Sequence, residues 1–308
     1  MKAIAATAYG GPEVLKLVDL PDPKVGPDSV LVNVKAAGVN PVDWKVVAGF
    51  LDGIMRVHFP LVPGWDVAGV VERVGSAVTE LAPGDEVMGY VREDHIKDGT
   101  FAEKVAAPLR TLAKKPKALD WNQAAGLPLA GLTAYQALRI ADVKSGGTLL
   151  VHAAAGGVGS LAVQIARARG LRVIGTASAA NHAFLRELGA EPVEYGEGLE
   201  ARVRALAPDG VDGVLDFVGK VADVSLAVSK ADGARHFVSI AESAVKERGA
   251  RYHFVRPDAE DLAALAKLAD AKSLTVPIAE IFPLARAADA LAKSKEGRAR
   301  GKIVVSVS

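Results

Sequence analysis

The strongest constraint on this 308-residue chain is an uncharged run over 145–166, SGGTLLVHAAAGGVGSLAVQIA, which contains no Asp, Glu, Lys or Arg. Twenty-two residues could cross a bilayer core of about 30 Å as a helix. The composition argues against that. A spanning helix is dominated by large aliphatic residues with aromatic anchors, whereas this run carries His152, a central glycine cluster and no aromatic side chain. Strand, glycine turn and helix is the better account. Residues 148–151 are β-compatible and 155–159 can turn tightly. Val158, Leu161, Ala162 and Ile165 have amphipathic helical spacing. Gly170 follows as a helix stop, and a second apolar strand, LRVIGT, begins at once. The whole is one βαβ unit, the context that gives a glycine fingerprint meaning.

The texture of the chain changes twice. Residues 2–115 are short strand-like runs broken by Gly and Pro, predicting an irregular β-barrel-like domain. From about Trp121 strands and helices alternate, with strands predicted near 192–195, 211–218, 235–240 and 251–255 and helices near 181–188, 198–206 and 221–230. Six strands with intervening helices predict a doubly wound parallel sheet. The tail from Pro257 returns to another rhythm and is long enough to rejoin the first domain. The expected boundaries are therefore 1–120, 121–256 and 257–308. A net charge of +1, evenly spread, gives no basic face for nucleic acid. The chain has no cysteine, which excludes disulfides and thiolate metal sites. With no charged-then-apolar leader in MKAIAATAYGG, it is expected to be cytoplasmic, without membrane attachment.

The turn formed by Ala155, Gly156, Gly157, Val158 and Gly159 is the expected pyrophosphate site. A pyrophosphate needs backbone N–H donors, close approach without Cβ atoms and the positive end of a helix dipole, and a strand-turn-helix supplies all three. The series is Ala154-x-Gly156-x-x-Gly159, with alanine in place of the usual first glycine.

The stretches VHAAAGGVGSLAVQIARARG, GVNPVDWKVVAG, LVPGWDVAGVVERVGSAV, GDEVMGY, DGTFAEKVAAP, GLPLAGLTAYQAL and ARGKIVV, in this order over essentially the whole chain, resemble the zinc-independent quinone oxidoreductase branch of the medium-chain dehydrogenase/reductase superfamily. The resemblance implies an α/β protein: a GroES-like β-barrel catalytic domain plus a Rossmann doubly wound sheet, with the nicotinamide in the cleft between them. In the superfamily's zinc enzymes, motifs similar to GVN, PGWD and GLPLAG carry a cysteine, a His-Glu pair and a further cysteine. Here those places hold Asn40, Trp65-Asp66 and apolar residues. Zinc wants about three N, S or O ligands in a catalytic site, so no catalytic metal is expected.

Without a metal to stabilise an alkoxide, hydride delivery to an already electrophilic acceptor is the easier chemistry. A quinone or an α,β-unsaturated carbonyl compound, an enoyl thioester included, is such an acceptor. The alternative is a non-catalytic or weakly catalytic NADPH-binding protein with a structural or binding role. Asn40 can donate to a carbonyl or serve as a turn residue before Pro41. Asp43 can join the site or cap the helix after Pro41. Thr133, by resemblance, places its hydroxyl near the nicotinamide, or it caps a helix head. Trp44, Phe50 and Trp65 either wall the substrate site or pack as core, and His152 is expected to be structural.

Ser239 and Ile240 end the HFVSI strand, where doubly wound folds present backbone to ligands. The resemblance adds Val218 and Lys302 to the cofactor contacts, and it implies a homodimer, with the edge strand near 251–255 as one pairing surface. NADPH is the expected cofactor. NAD enzymes place an acid about 20 residues after the glycine loop, but here the place reads GTASAANH, with no acid until Glu187. Ser178 and His182, joined by resemblance by Tyr195, would meet a 2′-phosphate with hydroxyl and imidazole donors.

Overall fold

The computed structural model describes residues 1–307. The chain divides into two compact units: residues 1–132 with 257–272 and 276–308, and residues 133–256 with 273–275. The first boundary lies inside the helix Pro128–Ala141 rather than at 120.

The second unit is built on a six-stranded sheet, all parallel among the described residues. Its order is Glu191–Glu194, Arg172–Ala177, Thr148–Val151, Gly213–Asp216, Phe237–Ser239, Arg251–Tyr252. The strand order reverses beside Thr148–Val151, the first strand in sequence, and ligands of doubly wound folds bind at such a point. Several strands are shorter than their apolar runs suggest. The one expected over 235–240 starts at Phe237, because residues Gly233–His236 wind a 3-10 turn.

The helix Gly157–Ala168 follows the glycine turn as predicted and buries its residues from Gly159 to Ala166. Two of these, Ser160 and Gln164, are polar. The Gln164 amide donates 3.0 Å hydrogen bonds to Ser160 O and Thr275 O and accepts from Thr275 N at 2.8 Å, which fastens Ser273–Thr275 to this unit. Leu150, Ile174, Val203, Val214 and Phe237 form a continuous buried cluster under the sheet. Each such side chain contributes about 1.5–3 kcal/mol when fully buried.

In the first unit the long strand Ser29–Val39 is central. It pairs antiparallel with Asp66–Val74, Lys104–Pro108 and Lys302–Ser306. The sheet continues from Asp66–Val74 through Glu86–Tyr90 to Leu112–Lys114, and from Lys302–Ser306 to Ile278–Pro283. The tail after Pro257 thus supplies two strands of this sheet. At Gly38 a Cβ would lie 2.2 Å from Ala125 O and 2.9 Å from the Asp66 Cβ. Only glycine lets the helix Trp121–Gly126 lie against the strand there. No described helix is long and apolar enough to cross a membrane.

Candidate active site

In the first unit, four polar residues from distant parts of the sequence meet in a buried cluster: Asn40, Asp43, Asp66 and Lys302, each 3% exposed or less. Strand pairing brings them together. Gly38 is in register with Asp66 and with Val304, which sets the end of Ser29–Val39 between the start of Asp66–Val74 and the start of Lys302–Ser306. Asn40 is the N-cap of the helix Pro41–Val47, and its backbone N–H donates to Asp43 Oδ2 at 2.7 Å. The Asn40 Nδ2 donates to Asp66 Oδ2 at 2.8 Å, and the other Asp66 oxygen accepts from Leu129 N at 2.8 Å. Lys302 Nζ donates to Val39 O at 3.0 Å and to Asn40 Oδ1, and lies 3.9 Å from Asp66 Oδ2.

Burial dominates the electrostatics of this cluster. Desolvation pushes the Asp43 carboxyl up to about 8 against the bond from Asn40, with the negative Asp66 adding to the rise. Asp66 is raised to about 6, less far, because Lys302, Asn40 and Leu129 all stabilise its charge. Desolvation lowers the Lys302 ammonium, opposed by Asp66 and Asp43. Asp43 Oδ1, Trp44 Nε1 and the Tyr90 hydroxyl are among the buried polar atoms without a hydrogen-bond partner. Tyr90 stands in register with Asp66 on the next strand.

The glycine turn lies in the second unit. Gly156 is the N-cap of Gly157–Ala168 and offers no side-chain cap. The first intrahelical donor to it is Ser160 N, bonded to Gly156 O at 2.9 Å. The N–H groups of Gly157, Val158 and Gly159 are therefore left without a helical acceptor, the donor set a pyrophosphate requires. The turn is stitched to the second strand: Ala153 N donates to Thr176 Oγ1 at 3.1 Å and Ala154 N to Thr176 O at 3.0 Å. Those bonds hold Ala153 at φ +52, a strained region for a residue with a side chain. Gly159 is required by packing, since its Cβ would lie 2.2 Å from Ala153 O. His152 is structural as expected: burial lowers its pKa to about 4, and it pairs with Ser225 Oγ at 3.1 Å. That hydroxyl donates onward to Val221 O, so the imidazole hydrogen sits on Nε2.

At the ends of the fourth and fifth strands of this sheet, the buried Asp216 carboxylate accepts from Val218 N and Gly219 N, both at 2.8 Å, and from Ser239 Oγ at 2.7 Å. Ser239 Oγ in turn accepts from Ala241 N and Glu242 N. Sequence reasoning singled out Ser239 but passed over Asp216, whose carboxylate shapes both loops. Ile240 donates its N–H to Asp216 O at 3.1 Å, and Val218 is exposed on the first loop. Beyond the second strand, Ser178 accepts from Asn181 Nδ2 at 3.2 Å, His182 opens the helix His182–Glu187 with its Nε2 unpartnered, and Tyr195 is exposed. Arg202, also passed over, reaches from the helix Leu199–Leu206 to bond Glu194 O at 2.9 Å and Tyr195 O at 3.4 Å.

The remaining candidates are Thr133, Lys302, Trp65, Trp44 and Phe50. Thr133 is buried in the middle of Pro128–Ala141, so it caps no helix head. Lys302, expected at the cofactor, has its ammonium engaged inside the first unit. Trp65 is core against Tyr90, whereas Trp44 meets Phe50 edge-on at 5.9 Å and Phe50 is largely exposed.

A β-sheet unit ending in a buried amide–carboxylate–ammonium cluster and a doubly wound unit with an anion-ready glycine turn define a dinucleotide-dependent dehydrogenase or reductase. Residues 26–117 match the alcohol dehydrogenase GroES-like domain family, and residues 188–305 match the zinc-binding dehydrogenase family. The chain is similar to the chloroplastic NADPH-dependent alkenal/one oxidoreductase of Arabidopsis thaliana, with 38% identity over 99% of this chain and 79% of the relative. The quinone oxidoreductase of Coxiella burnetii superposes with a TM-score of 0.88 and 39% identity, covering 100% of this chain and 99% of that one. A mycobacterial protein complexed with NADPH superposes with a TM-score of 0.84 and 31% identity over 100% of each chain. The chain belongs to the quinone oxidoreductase branch of the medium-chain dehydrogenase/reductase superfamily.

The zinc in one family's description does not fit these residues. The cluster offers an amide, two carboxyls and an ammonium, and an ammonium beside Asp66 opposes a second cation there. Among the described residues no three His, Cys, Asp or Glu come together as a metal site.

Proposed function

We propose that the chain is an NADPH-dependent oxidoreductase that reduces quinones or α,β-unsaturated carbonyl compounds without a catalytic metal. The observation that carries this reading is the Asn40 cluster. It supplies a neutral hydrogen-bond donor, held by a carboxylate and an ammonium, where a zinc enzyme would carry its metal.

The nicotinamide, when bound, supplies a hydride to the electron-poor carbon of the acceptor. Asn40 Nδ2 has two hydrogens and spends one on Asp66. The second is a donor for the acceptor's carbonyl oxygen, where negative charge grows as hydride arrives. Gly157, Val158 and Gly159 hold the pyrophosphate through their N–H groups. Asp216 fixes the loops that carry Val218 and Ile240. Ser178, His182, Tyr195 and Arg202 form the 2′-phosphate corner, supported by the lack of any acid at the end of the second strand. The proton that completes the product comes from solvent. The strand Arg251–Tyr252 ends the sheet and offers a homodimer one pairing edge.

The test is loss of nicotinamide absorbance when NADPH is mixed with a panel of quinones and enones, with a saturated primary alcohol and NADP⁺ as the reverse control. Turnover of the panel and none of the alcohol is expected. NADPH binding with no turnover of any acceptor would favour the non-catalytic role instead.

A further inference from the structure

Lys302 lies near the other end of the sequence from Asn40, yet its ammonium is buried against that side chain. An ammonium has three donors and no acceptor, and a carboxylate has acceptors only. Lys302 faces Asn40 Oδ1 and Asp66 faces Asn40 Nδ2. Turning the amide over would set its oxygen against the carboxylate and its NH2 against the ammonium, both repulsive. The two charges therefore select one of the two amide orientations, and they neutralise each other while doing so.

Two further observations separate this from a cofactor or packing role. Two of the three Lys302 donors go to Val39 O at 3.0 Å and to Asn40 Oδ1, and the ammonium lies 3.9 Å from Asp66 Oδ2, so its hydrogen bonds hold it to the Asn40 cluster. A lysine that only filled space would have no reason to bring a charge to a site 3% exposed, where desolvation opposes that charge.

We propose that Lys302 is a positioning residue for the reduction: together with Asp66 it locks the Asn40 amide with Oδ1 turned inward, which leaves one Nδ2 hydrogen for the carbonyl oxygen of the acceptor. This rests on the reductase reading above. It assigns to a buried cation the work of orienting a neutral donor, in place of direct contact with substrate or cofactor.

The test uses the full chain labelled with 15N-asparagine. Only four asparagines are present, Asn33, Asn40, Asn122 and Asn181, so their NH2 pairs can be assigned. In the wild type the Asn40 hydrogen donated to Asp66 should exchange slowly with solvent; rapid exchange of both hydrogens of the pair would overturn the proposal without any variant. The charge-balanced double substitution Lys302→Met with Asp66→Asn removes both orienting charges and leaves no uncompensated one. It should speed solvent exchange of the Asn40 pair and lower kcat for an enone, each about tenfold or more, while the Kd for NADPH, read by fluorescence titration, stays within about twofold. Lys302→Arg, which keeps a donor-only cation, should retain the Asn40 signals and most of kcat. An unaltered Asn40 pair and unaltered kcat in a folded double variant would refute the positioning role. So would a weakened NADPH Kd with kcat and the Asn40 pair unchanged, because that marks a cofactor contact. If the wild type reduces no acceptor, the reductase reading fails, and the resonances still report whether Lys302 orients the amide.

Discussion

Asp43 accepts a 2.7 Å hydrogen bond from the backbone N–H of Asn40 through Oδ2, while its Oδ1, equally buried, meets no donor. Burial raises this carboxyl to about 8 and Asp66 to about 6. In the unfolded chain both return to a value near 4. The native state therefore holds more protons than the unfolded state between about pH 4 and pH 8, and stability falls as pH rises through that window. The contribution is fully present below pH 4 and is lost as each folded pKa is passed. Asp43→Asn should flatten the upper part of this slope, and melting curves at pH 5, 7 and 9 check it. The variant should gain most at pH 9; a pKa difference of only two units is worth about 2.7 kcal/mol. Parallel wild-type and variant curves would contradict the assignment.

Cofactor preference should reside in Ser178, His182, Tyr195 and Arg202. NADPH is expected to have the higher kcat/KM. Arg202→Ala should erode that preference several-fold, because its guanidinium brings a fixed positive charge to the loop carrying Tyr195. Ser178→Ala, His182→Ala and Tyr195→Phe should erode it in smaller steps. Kinetics with both cofactors, at two ionic strengths, separate charge from shape. Equal use of NADH by the wild type would remove the basis of this assignment.

Two glycines of the turn should fail in different ways. Gly159→Ala forces a Cβ to within 2.2 Å of Ala153 O, so the helix must move away from the strand, at a stability cost of about 3 kcal/mol. Gly157→Val crowds the first helical turn instead, where N–H groups face the pyrophosphate. That variant should fold and lose at least about tenfold in NADPH affinity by titration. Unchanged affinity in a folded Gly157→Val protein would count against the turn as the cofactor site.

Metal analysis of purified protein should find no stoichiometric zinc, and a chelator should leave turnover unchanged. One zinc per chain, removable with loss of activity, would contradict the account of Asn40, Asp66 and Lys302 as a cluster that carries its own cation.

The doubly wound unit was legible because its signals are local. Apolar periodicity switches from strand to helix within a few residues, and Gly170 and Gly189 mark helix ends at φ +77 and +90. Its strand limits were less legible, since Arg235 and His236, which adjoin the apolar run FVSI, are wound into a 3-10 turn. The glycine turn could be placed from sequence, but Asp216 could not: an acid ending an apolar strand does not announce that it will bind two backbone N–H groups and a serine from the next strand. Asn40 was visible as a candidate through resemblance. Its pairing with Lys302 was not, because Lys302 reaches it across 262 residues of sequence through strand pairing that no local pattern encodes.

That same strand sets an order on synthesis. Lys302–Ser306 lies inside the sheet of the first unit, between Ile278–Pro283 and Ser29–Val39, and it brings the counter-charge for Asp66. A ribosome delivers residues 133–256 as an uninterrupted stretch with all six parallel strands, long before that inner strand exists. All six strands of that sheet are thus made before the sheet of the first unit can be. The long strand Ser29–Val39 keeps an edge unpaired, and Asp66 lacks its cation, until Lys302–Ser306 has been made.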